Sequence, residues 1–338
     1  MTVDAQTATA WAARLGELGI AVQRRIVVAR QSGDDLAEAV AHEGGDTIFA
    51  IDRHVEPIIE MAIHAWPADC LPLTLIAEGF GEDGRVTFGK GASKFRLLID
   101  PIDGTRNIMY DKRSAWFLAA VAEDHGDDTR LSHAFASAMV ELPPSKQTLA
   151  DVFTATRLGS CATRLDTRTG QRHALHVKPS GAPTLLHGFG QVANFFPGTK
   201  VLASELMERI ASATLGNIQP GQASVFDDQY ITTGGQMVEL MVGHDRFCCD
   251  LRPLFYRVLR QQTGREVRGL ECHPYDCAGA LVAEQAGVIL TDGFGRPLDA
   301  PFGVHHPVHW CGYANAKLRD AIEPVIQAYF AERGVTPA

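Results

Sequence analysis

The stretch Ile99-Asp100-Pro101-Ile102-Asp103-Gly104-Thr105 decides how this chain is read. The apolar run Phe95 to Ile99 precedes it and has the length of a strand, so two carboxylates stand three residues apart at a strand end. Pro101 fixes its own φ and keeps Asp100 extended. Gly104 permits a tight turn directly after Asp103. Such a turn can aim both carboxylates and the Ile102 carbonyl into one space, and hard cations such as Mg²⁺ take that set of oxygen ligands. Two like charges held so close repel, and a divalent cation relieves the repulsion. Taken alone, the spacing also suits a turn in which an Asp caps a helix.

The rest of the sequence sets bounds on that reading. A length of 338 residues suggests about two domains or one large layered one. Hydrophobic residues at 46% and charged residues at 21% rule out a disordered chain. The net charge is −9 and no long basic run is present, which argues against a nucleic-acid polymer as partner. No apolar stretch approaches the roughly 20 residues of a membrane span, and the N-terminus shows no basic region followed by an apolar core. The seven cysteines form no Cys-x-x-Cys pair, so structural zinc is not expected and a reduced, cytoplasmic compartment is.

Periodicity predicts helices over Ala8 to Arg30, Leu36 to Ala41, Asp52 to His64, Val201 to Ala213, Asp227 to Ile231, Leu251 to Arg260, Cys277 to Ala286 and Leu318 to Arg333. Strands are predicted over Leu73 to Ala77, Val86 to Phe88, Phe95 to Ile99, Trp116 to Ala122, Ala134 to Val140, Met237 to Val242 and Val288 to Leu290. The pattern weakens between Pro143 and Pro183. Mixed strands and helices over this length indicate a layered α/β or α+β fold. Gly79-Phe80-Gly81-Glu82-Asp83-Gly84 matches G-x-G-x-x-G but leads into a strand-like run, not a helix. A dinucleotide would lack its helix N-terminus there, so a glycine-rich hairpin loop is expected.

The complete string Asp-Pro-Ile-Asp-Gly-Thr resembles the signature of the inositol monophosphatase family, the Mg²⁺-dependent, lithium-sensitive phosphatases that include fructose-1,6-bisphosphatase. Other segments resemble family signatures in the same order. They are Asp46-Thr47 with Asp52 to Glu56, then Ile76-Ala77-Glu78-Gly79, then Tyr275-Asp276-Cys277-Ala278-Gly279-Ala280, and together they span about Asp46 to Leu298. The resemblance implies a layered αβαβα sandwich, a homodimer, and two to three Mg²⁺ ions per site. It implies that Glu78, Asp100 and the Ile102 carbonyl hold one ion, that Asp100, Asp103 and Asp276 hold a second, and that Glu78 shares a third. Asp52 and Thr105 would orient the attacking water, and the N–H groups of Gly104 and Thr105 would cradle phosphate oxygens. The implied activity is hydrolysis of a small phosphorylated metabolite, an inositol phosphate or sugar phosphate. The alternative is a catalytically inactive relative acting as a regulatory or interaction module.

The chain departs from the family pattern in four places. Gly79 replaces the second Glu at the strand end, with Glu82 the alternative in the loop, and Tyr275 replaces the usual Trp. Gly269 stands where inositol-specific members have a Glu, with Glu271 nearby. The interval between Gly234-Gly235 and Tyr275-Asp276 is long, and its section near 243–271 reads as an arginine-rich insertion. Arg246 and Arg252 in it, with Lys112 and Arg113 after the signature, are candidates for a second anionic group on the substrate, and a solvated or interface helix is the plainer reading. Division is expected into an N-terminal part, 1–160, carrying the signature, and a C-terminal part, 161–338, carrying Asp276. His305-His306-Pro307-Val308-His309 is expected to be a loop cluster without a metal.

Overall fold

A computed structural model of the chain describes residues 3–31, 39–43, 46–81, 83–216 and 218–337, with backbone alone between 31 and 54. Its helices are α1 (Ala5–Gln31), α2 (Ala50–His64), α3 (Thr105–Met109), α4 (Lys200–Leu215), α5 (Thr233–Met241), α6 (Arg252–Thr263), α7 (Ala280–Gln285) and α8 (Ala316–Ala331). Its strands are β1 (Ala39–Glu43), β2 (Asp46–Phe49), β3 (Leu73–Ala77), β4 (Arg85–Phe88), β5 (Phe95–Asp103), β6 (Ala115–Glu123), β7 (Ala136–Leu142), β8 (Leu149–Thr156), β9 (Gly159–Asp166), β10 (Arg172–Ala174), β11 (Gly188–Val192), β12 (Val225–Phe226), β13 (Asp245–Asp250), β14 (Ile289–Thr291) and β15 (Trp310–Tyr313).

Alternation along the strands sorts these elements into layers. On β6, Ala115, Phe117, Ala119 and Val121 pack with Trp11, Leu15 and Val22 of α1 and Val55 and Ile59 of α2. The intervening Trp116, Leu118, Ala120 and Ala122 pack with Met237 and Leu240 of α5 and Leu281 and Val282 of α7. The sheet is therefore buried on both faces, which is why β6 reads as one apolar run. It has the order β10-β9-β8-β7-β6-β5-β3-β4. The second sheet, β12-β11-β13-β15-β14, repeats the arrangement. Cys248, Leu290 and Trp310 face the α5/α7 layer, while Phe247, Cys249, Cys311 and Tyr313 face α4, α6 and α8. The result is the expected αβαβα sandwich. In α1 the small Gly19 lets the helix lie close on the first sheet, since a Cβ there would stand 2.5 Å from Val140 Cγ2 and 2.6 Å from Phe117 Cδ1.

Several expectations are corrected. Ala39–Glu43, which overlaps the end of the predicted second helix, is a strand paired with β2. The segment 227–231 is irregular, and the helix begins later, at Thr233, over residues read as a strand. An apolar run this short fits either period, and the Thr232 cap settles it by accepting the Gly235 N–H at 3.0 Å. The weakly patterned stretch after Pro143 carries β8, β9 and β10, which extend the first sheet through Ala174. The arginine-rich segment near 243–271 contributes β13, the central strand of the second sheet, and α6, whose Leu254, Phe255 and Val258 are fully buried. The G-x-G-x-x-G stretch is the turn of the antiparallel β3–β4 hairpin, as expected.

Candidate functional site

A one-residue irregularity in β5 builds the site. The register against β6 runs Asp100↔Leu118 and then Asp103↔Trp116, so three steps on β5 answer two on β6. In a regular strand, residues 100 and 103 would face opposite sides of the sheet. The extra residue at this bulge reverses the alternation. Ile99 and Ile102 both pack on the α1/α2 side, while Asp103 meets α5 on the other side. Pro101 suits the irregularity because it has no N–H to leave unpaired.

Three elements then close around the carboxylates. Asp100 accepts the Ile102 N–H at 3.0 Å. Asp103 accepts from the Thr232 hydroxyl at 2.6 Å, from Gly234 N–H at 2.5 Å and from Thr233 N–H at 3.2 Å, so it sits on the open N-terminus of α5. Gly234 is required for this approach, since a Cβ there would lie 2.6 Å from Leu118 Cδ2 and 3.0 Å from Asp103 Oδ2. Asp276, in the 3₁₀ turn Tyr275–Cys277, accepts the His273 N–H at 2.6 Å. Carboxylate oxygens of Asp100, Asp103 and Asp276 lie within 4.8 Å of one another. Among the described residues they are the one group of three metal-ligating side chains so close.

Electrostatics make this arrangement unstable as a set of bare anions. Burial, then the charges of Asp103, Asp276 and Glu78, push Asp100 well above the usual carboxylate range. Asp276 is pushed well up by burial and by Asp103 and Glu78, against the His273 N–H and Arg252. Asp103 is raised by burial to about 6, against its three hydrogen bonds and Arg252. Arg252 does not neutralise the group, because its guanidinium is committed to Asp250 (2.5 to 3.0 Å) and the Leu270 carbonyl (3.1 Å). Converging hard oxygen donors with unrelieved repulsion are the donor set a Mg²⁺-type cation fits.

Other expected residues fall into distinct places. Glu78 follows β3 beside the cluster, exposed, and its charge acts on Asp100 and Asp276. The Thr105 hydroxyl donates to the Ile102 carbonyl at 2.9 Å. Gly104 opens α3 with φ +88°, and a Cβ there would stand 2.9 Å from the Ile231 carbonyl. The Asp52 side chain and Glu82 lie outside the described residues. Arg113 stacks over Tyr230 at 3.7 Å and binds Asp228 at 2.8 and 2.9 Å. Arg246 donates to the carbonyls of Thr184 and Leu186. Lys112 is exposed, and Glu271 is half-buried with its carboxyl raised by burial. His305 and His306 are exposed, while His309 accepts the Gly293 N–H at 3.0 Å. Sequence reasoning missed Thr232 and Thr233, although a Thr is one of the residue types that favour the N-cap position.

The chain has the inositol monophosphatase/fructose-1,6-bisphosphatase fold. It is similar in structure to a Leishmania major fructose-1,6-bisphosphatase, with a TM-score of 0.63 over 96% of this chain and 93% of that one at 14% identity. It is similar to the extragenic suppressor protein suhB from Bartonella henselae (TM-score 0.58, 17% identity, 90% of this chain and 94% of that one). A Thermotoga maritima IMPase gives 0.59 at 18% identity over 94% and 98%. No protein-family model matches the chain, and no curated protein matches it. At this fold, the strand-end bulge of β5, the start of α5 and the Tyr275–Cys277 turn meet at one point. No helix among the described residues is long and apolar enough to cross a membrane.

Proposed function

We propose that this chain is a Mg²⁺-dependent phosphomonoesterase that hydrolyses a small phosphorylated metabolite of the inositol phosphate or sugar phosphate class. The observation that carries the reading is the convergence of Asp100, Asp103 and Asp276 within 4.8 Å on this fold. Glu78, Asp100 and the Ile102 carbonyl would hold one cation, and Asp100, Asp103 and Asp276 a second, with a third shared by Glu78. When bound, such cations lower the pKa of water and offset charge on the phosphoryl and leaving oxygens. Asp52 accepts the proton of the attacking water, with the Thr105 hydroxyl in relay. The Gly104 and Thr105 N–H groups orient the phosphate. A homodimer and a cytoplasmic setting belong to the same reading.

The test is a panel of phosphomonoesters with Mg²⁺, run on the wild-type chain and on Asp100→Asn. Release of phosphate that needs Mg²⁺ and falls about 10³-fold or more in the variant is expected, since the variant removes a carboxylate shared by both cations. Equal activity in the two chains sinks the cation assignment. A wild-type chain inert across the panel favours a non-catalytic interaction module.

A further inference from the structure

Cys272 and Cys277 stand beside the carboxylate cluster, both buried, with their Sγ atoms 3.6 Å apart. They bracket the turn that presents Asp276. Cys277 follows Asp276 directly, and the His273 N–H that holds Asp276 follows Cys272. Cys272 also touches the other wall of the site. Its Sγ lies 3.7 Å from the Thr233 hydroxyl, and the Thr233 N–H donates to Asp103. One pair of thiols thus contacts the supports of two of the three converging carboxylates.

The ends of the bracket are anchored. The Cys272 carbonyl accepts the Val308 N–H at 2.7 Å, and the Ala278 carbonyl, directly after Cys277, accepts the Ser137 hydroxyl at 2.7 Å. A disulfide requires sulfurs about 2.0 Å apart. Closing the pair would therefore draw the two sulfurs more than an ångström together, and the short segment between them, which includes Asp276, must absorb the movement.

We propose that Cys272 and Cys277 form an oxidation site, in which a peroxide closes the pair to a disulfide that withdraws Asp276 and weakens cation binding at the cluster. The step balances. One thiol sulfur takes an oxygen from hydrogen peroxide to become a sulfenic acid, releasing one water. The second sulfur then displaces hydroxide from it, a second water leaves, and the sulfurs have lost two electrons to the peroxide bond. A dithiol reductant reverses the change. This rests on the cluster being a cation site, but not on the identity of the reaction.

The experiment uses the full chain carrying Cys161→Ser, which removes the exposed thiol. Mg²⁺ binding is measured by calorimetry in the reduced state, after hydrogen peroxide, and after dithiothreitol. The non-reduced tryptic fragment from Gly269 to Lys317, which contains Cys272, Cys277 and Cys311 because trypsin does not cut the Arg296–Pro297 bond, is weighed in each state, and its fragment ions place any new bond. Loss of two hydrogens from that fragment is expected, together with a fall of about tenfold or more in Mg²⁺ affinity, and dithiothreitol should restore both. Cys272→Ala and, separately, Cys277→Ala should bind Mg²⁺ normally and ignore peroxide. Cys272 and Cys277 thiols that stay free while wild-type Cys161 oxidises would overturn the proposal. So would a disulfide that leaves Mg²⁺ affinity unchanged, and this second outcome spares the cation site. A reduced chain that binds no Mg²⁺ overturns the cation reading as well.

Discussion

The Thr232 hydroxyl donates to Asp103 at 2.6 Å while accepting the Gly235 N–H at 3.0 Å. One side chain thereby caps α5 and fixes a carboxylate of the site that lies far away in sequence. Thr232→Val keeps the shape and removes both bonds. It should lower Mg²⁺ affinity about 10- to 100-fold and cost about 1–3 kcal/mol of stability. Thr232→Ser should restore both. Calorimetric titration beside thermal unfolding checks this, and a valine variant with wild-type affinity contradicts it.

Asp100→Asn should act in opposite directions on function and stability. The bare carboxylate is buried and repelled by Asp103, Asp276 and Glu78. Replacing it with a neutral amide removes that repulsion, so the variant in excess chelator should melt above the wild type, by about 1–2 kcal/mol. With Mg²⁺ added the order should reverse, because only the wild type gains the full binding energy. Paired melting curves with chelator and with Mg²⁺ decide the point.

His309 gives the fold a defined acid limit. Burial, offset in part by Asp292, lowers its ring to about 4 from an ordinary 6.5, and its Nδ1 accepts the Gly293 N–H. Other charges acting on it are those of Arg257, Arg296 and Asp250. The folded state keeps His309 neutral where the unfolded chain would protonate it. Its contribution is therefore full above about pH 6.5 and lost as pH falls toward 4, up to about 3 kcal/mol. His309→Asn keeps an acceptor for Gly293 and does not titrate. Its denaturant midpoint should decline less between these pH values than that of the wild type, and parallel declines would refute the assignment.

Gly19 is the close-approach point of α1. Alanine is the better helix former by about 1 kcal/mol, but its Cβ would stand 2.5 Å from Val140 and 2.6 Å from Phe117. Overpacking should win, leaving Gly19→Ala destabilised by about 1–2 kcal/mol. In the background of Val140→Ala the same change should cost less, a coupling that a double-mutant cycle in urea would reveal.

The parts of this molecule legible in its sequence are those whose physics is local. Asp100 to Thr105 announces a carboxylate-bearing turn because Pro101 and Gly104 constrain the backbone in place. The apolar run of β6 announces a strand covered on both faces. Distant partnerships were hidden. Nothing near Asp103 in sequence points to Thr232 or Gly234, and the apolar residues from Met237 onward suit a strand as well as a helix until the cap is recognised. β9 escaped notice because most of its residues are exposed or half-buried and few are apolar. The arginines near 243–271 suggested a solvated insertion, yet Arg246 and Arg260 spend their charge on backbone carbonyls and Arg252 on Asp250. Composition alone does not distinguish an arginine that staples a core from one that waits for an anion.

The bulge between Asp100 and Asp103 also changes what kind of damage the site is vulnerable to. Many single substitutions around it leave the strand phase intact. Grafting the same six-residue string onto an unbroken strand would preserve both carboxylates and send them to opposite faces of the sheet. The chemistry is therefore encoded as a count of residues as much as a choice of them.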